Sequence, residues 1–85
     1  MDFSSDAECR EQLNLTRRQL EDLVVRFYDL SRPHWKPTQP GPLLMSKVYR
    51  LLKKLMGRDL TRKERNLTYT YTCYAANRVL NRLEG

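Results

Sequence analysis

The chain has 85 residues, 40% of them hydrophobic and 31% charged, with a net charge of +6. That length and balance fit one small folded domain, and they exclude a two-domain protein and a disordered chain. No run approaches the ~18 apolar residues of a membrane span. The two cysteines lack CxxC spacing and there is one histidine, too few soft ligands for a zinc site.

The expected fold class is all-α, a small three-helix bundle-like domain over residues 15–85 with a Pro-rich linker between its first and second helices. Residues 1–14, acidic and polar, read as a tail or a short extra helical turn, and they lack the basic start and apolar core of a leader peptide. Thr16 and Gln19 have the spacing of a capping box, with Leu15 and Leu20 at the staple positions, so a helix is predicted over 17–31. Leu20, Leu23, Val24, Phe27 and Leu30 then form one apolar stripe. Arg32-Pro33 ends it, because the residue before proline avoids helical dihedrals.

All four prolines fall in the linker RPHWKPTQPGP, residues 32–42. Its Trp35 either folds back onto the core or stands at a binding edge. A second helix is predicted over 42–56, with Pro42 in its first turn and Gly57 just past its end. A third is predicted over 62–83, opened by a Thr61-x-x-Glu64 box. Its Thr68-Tyr69-Thr70-Tyr71-Thr72 alternation has strand character. The cap before it and the helical period after it favour a helix.

Charge is unevenly placed. Residues 1–31 hold seven acids and four bases, residues 32–85 three acids and twelve bases, giving −3 and +9. On the second predicted helix, Leu44, Val48, Leu51, Leu52, Leu55 and Met56 share one side, and Lys47, Arg50, Lys53, Lys54 and Arg58 the other. Arg62, Lys63 and Arg65 follow the turn. A basic face of this density gains from releasing the counterions condensed on a phosphate backbone. The leading expectation is therefore a small regulatory or accessory protein that binds nucleic acid, DNA or RNA, with Lys47, Arg50, Lys53, Lys54, Arg58, Arg62 and Lys63 on phosphates.

On the third predicted helix, Tyr69, Cys73, Ala76, Leu80 and Leu83 are expected to face the core. Leu67, Tyr71, Tyr74 and Arg78 form a second stripe. Tyr71, Tyr74 and Arg78 could stack on bases or form a homodimer seam. The alternative function is a protein-interaction adaptor or inhibitor, anchored by that stripe and Trp35 and steered by the basic face to an acidic protein surface. Val48-Tyr49-Arg50-Leu51-Leu52 is superficially similar to the Leu-Tyr-Arg motif of small mitochondrial assembly factors, but Val replaces Leu, the match spans five residues, and no membership is claimed.

No Ser/His/Asp or Cys/His set and no Gly-rich phosphate loop is apparent, so neither catalysis nor a cofactor is expected. Two isolated thiols suit a reducing intracellular compartment, cytoplasm or nucleus. A Cys9–Cys73 disulfide is the minor alternative.

Overall fold

The computed structural model describes residues 3–27 and 40–84. Within them the chain forms four helices: α1 (Phe3–Leu15), α2 (Arg17–Phe27), α3 (Pro42–Met56) and α4 (Arg62–Glu84). The all-α expectation holds, and among the described residues there is no strand. Trp35, His34 and the expected end of the first predicted helix lie outside the described residues.

The expected number of helices is corrected. The stretch read as a tail or extra turn contains the 13-residue helix α1, and Thr16 is not the cap predicted for it. The Thr16 N–H donates to the Gln12 carbonyl and the Leu20 N–H to the Thr16 carbonyl, both at 2.9 Å. The Thr16 hydroxyl also donates back to Gln12 O at 2.8 Å. A cap satisfies N–H groups that a helix start leaves open. Here the N–H and carbonyl of Thr16 both belong to a backbone ladder that runs across the joint, and its hydroxyl turns back into α1 instead of forward to α2. One buried stripe crosses it: Cys9, Leu13, Thr16, Leu20 and Val24, at steps of four, three, four and four. No disulfide joins Cys9, which is buried, to Cys73, which is half-buried.

α3 buries Leu44, Met45, Val48 and Leu52. It ends at Gly57, which adopts φ 73° and donates its N–H to Lys53 O at 2.9 Å. That left-handed conformation suits a residue without Cβ. The capping box at Thr61 forms as predicted: the Thr61 N–H donates to Glu64 Oε1 at 2.8 Å and the Glu64 N–H to Thr61 Oγ1 at 3.2 Å.

α4 is a helix through its Thr/Tyr run, but the stripe expected to face the core is corrected. The buried residues are Glu64, Thr68, Thr72, Ala75, Ala76 and Val79. Of the predicted set only Ala76 is buried, while Tyr69 and Leu83 are exposed and Cys73 and Leu80 half-buried. α4 packs against α1, α2 and α3, and small side chains let a central helix approach its neighbours closely. The threonine hydroxyls do not go unsatisfied there. Thr68 donates to Glu64 O at 2.7 Å and Thr72 to Thr68 O at 2.8 Å, the back-bonding that makes threonine tolerable inside a helix. No described helix is long and apolar enough to cross a membrane.

Candidate nucleic-acid interface

α2 and α3 pack against each other, and residues of both bound a groove of about 470 Å³. Half-buried Leu23, Phe27 and Leu51 supply its apolar lining, and Arg26, Lys47, Arg50 and Lys54 its positive charge. Lys47, Arg50 and Lys54 follow one another at steps of three and four, which brings them to one side of α3. Lys47 Nζ lies 5.4 Å from the centroid of the Phe27 ring, linking the two helices. Among the described residues the single acid lining the groove is Asp22. Arg26 comes from the segment whose overall charge is negative, so the sequence reading passed over it. Its seven-residue offset from Gln19, through Asp22 and Leu23, is the signal that aligns it with the groove.

The other predicted phosphate ligands are placed differently. Lys53 pairs with Asp59 at 2.8 Å on the open surface, an interaction of little net strength that a phosphate can displace. Its hydrogen bond and charge hold the Asp59 carboxyl below its ordinary value. Arg62 and Lys63 are exposed on the first turn of α4. Arg58 belongs to the framework instead. Its Nη1 and Nη2 each bond one oxygen of Glu64 at 2.8 Å, and that carboxylate is fully buried. The hydrogen bond to Glu64 pushes the guanidinium's pKa up. Contact with a phosphate would have to break this bidentate pair.

Beyond the groove, the Arg65 guanidinium stands 5.9 Å from the Tyr49 ring centroid. The Tyr49 hydroxyl donates to Arg65 O at 3.5 Å. Burial pushes the Tyr49 phenol up, against the lowering effect of Arg65.

The predicted stacking set is divided. The Tyr71 and Tyr74 rings are 5.9 Å apart and tilted. Tyr71 packs against the core, and Tyr74 is exposed. Arg78 is directed away to α2, its Nε 2.9 Å from Glu21 Oε2. Arg82 also bonds Glu21, and Arg17 lies 3.6 Å from it. Trp35 lies outside the described residues.

Glu21 sets an acid-side prediction. Burial pushes its carboxyl up, but the hydrogen bond and charge of Arg78, with Arg82 and Arg17, more than offset this and hold it below the ordinary value. A carboxyl lowered in the folded state stabilises the fold above its unfolded pKa, near 4.5. That contribution is lost as pH falls through the lowered value. Urea midpoints measured from pH 7 down to about pH 3 should therefore fall less steeply for Glu21→Gln than for the unaltered chain. Parallel profiles would contradict the assignment.

Among the described residues no group of His, Cys, Asp and Glu could hold a metal ion. No protein-family model matches the chain, and no curated protein or solved structure matches it either.

Proposed function

We propose that this chain is a small accessory protein that binds nucleic acid through the α2–α3 face, chiefly by phosphate contacts. The observation that carries the proposal is the convergence of Arg26, Lys47, Arg50 and Lys54 on one groove, with a single acid among its described lining residues. Exposed Lys53, Arg62 and Lys63 extend the positive surface. Contacts of this kind give affinity and orientation with little sequence readout. Bases unpaired from a partner strand could also rest on the apolar lining.

That lining, Leu23, Phe27 and Leu51, favours a second reading: an acidic, amphipathic protein segment seated in the same groove. Fluorescence anisotropy with labelled single- and double-stranded DNA and RNA, across a salt series, tests the first reading. Four phosphate contacts predict a log–log slope of affinity against salt of about −2.8 for single strands and about −3.6 for duplex DNA. Absence of binding at low salt would remove this reading and leave the peptide one, to be tested with acidic amphipathic peptides.

A further inference from the structure

Leu15, at the end of α1, and Arg18, Asp22 and Val25 along α2 are all exposed, at steps of three, four and three. This is the spacing of a coiled-coil seam. Leu15 is 72% exposed, Val25 58% and, beside them from α4, Leu83 62%. Single exposed leucines are ordinary. Here the three line one open cleft of about 790 Å³ bounded by α1, α2 and α4, together with Arg17, Arg18, Glu21, Asp22 and Arg82, and exposed apolar side chains rimmed by polar ones mark an interaction surface.

The order of the seam identifies its partner. It runs apolar, basic, acidic, apolar, and both like pairs, 15 with 25 and 18 with 22, are centred on position 20. A surface that complements its own reversal is what a twofold interface requires. Among the described residues, neither Arg18 nor Asp22 has an ion pair. Glu21, between them, is already engaged by Arg17, Arg78 and Arg82. The seam thus offers one available charge of each sign, and its cleft is lined by three bases and two acids, nearer neutral than the chain's net charge of +6, so two copies can meet there with little like-charge repulsion.

We propose that the chain forms a twofold dimer in which α2 packs antiparallel against α2 of a second copy. Arg18 of each copy faces Asp22 of the other. Leu15 and Leu83 of each receive Val25 of the other. This proposal does not rest on the nucleic-acid reading.

Sedimentation equilibrium of the full chain tests it. At high protein concentration the mass should approach twice 10.2 kDa. Arg18→Asp sets acid against acid at two symmetric points, and Asp22→Arg sets base against base. Each should raise the dimer dissociation constant at least about tenfold, since close like charges oppose association strongly. An equimolar mixture of these two variants restores both opposite-charge pairs and should recover the dimer. Val25→Lys, which leaves the charge pairs intact, should also dissociate it. All are surface substitutions expected to fold, which circular dichroism checks. The proposal is overturned if the unaltered chain stays monomeric up to about 1 mM, if folded single variants dimerise undiminished, or if the mixture fails to recover the dimer.

Discussion

Replacing Glu64 with alanine is expected to destabilise the domain by about 3 kcal/mol, as measured by urea unfolding. Its carboxylate is fully buried, yet it joins three parts of the chain: the turn through Thr61, the loop through Arg58, and the first turn of α4. Removing one partner of a buried ion pair costs about 3–5 kcal/mol, mainly because the other charge is left without compensation. The low end applies because the Arg58 side chain is 40% exposed and can rehydrate. Against a total stability of about 5 kcal/mol for a domain of this size, the loss is severe. Glu64→Gln retains an oxygen for the Thr61 N–H and should fall between the two. Asp59→Ala, which removes the exposed Lys53 pair, should leave the urea midpoint almost unchanged. A Glu64→Ala loss below about 1 kcal/mol would contradict this assignment.

Leu13→Ala is expected to cost about 2–4 kcal/mol, the usual consequence of emptying a buried leucine site. Leu13 is 1% exposed, on a helix the sequence reading took for a tail or a short turn. Leu15→Ala, two residues on, removes the same number of atoms from a side chain that is 72% exposed, and should shift the urea midpoint hardly at all at protein concentrations low enough for the chain to be monomeric. A frayed tail would make both substitutions neutral. Equal small effects would therefore exclude α1 from the core.

The fold was legible where local chemistry and tertiary packing agree. Thr61 and Glu64 form the box their spacing predicts, and Gly57 takes the left-handed conformation that ends α3. Of the apolar stripe of α3, Leu44, Val48 and Leu52 are buried, Leu51 and Met56 half-buried and Leu55 exposed, and Met45 is buried although the stripe left it out. Reading failed where an alternative partner existed for the same group. Thr16 has the residue type and spacing of a cap, but its backbone groups are already bonded within a continuing ladder, and its hydroxyl turns to Gln12. The stripe Cys9–Leu13–Thr16–Leu20–Val24 carried the correct signal, with a threonine in its middle.

On α4 the large aromatic and aliphatic residues drew attention to the wrong side. Its core face is built from Glu64, two threonines, two alanines and Val79, because several helices crowd it. Of the candidate site, the basic stripe of α3 was legible from its period. The removal of Arg58 and Arg78 was not, because their acidic partners lie six and fifty-seven residues away, and only folding brings those groups together.

The central claim is that a particular groove, and not net charge alone, gives this chain its affinity for nucleic acid. Lys54→Glu and Arg10→Glu change the net charge equally, and both side chains are exposed. Lys54 lines the groove, and Arg10 stands on α1, outside it. Anisotropy titrations of the two variants against the same labelled strand, at one salt concentration, separate the cases. The account predicts at least about a tenfold loss of affinity for Lys54→Glu, where a phosphate contact becomes a repulsion, and no more than about a twofold loss for Arg10→Glu. Equal losses would mean that the strand senses only overall charge, and an undiminished Lys54→Glu would contradict the groove outright.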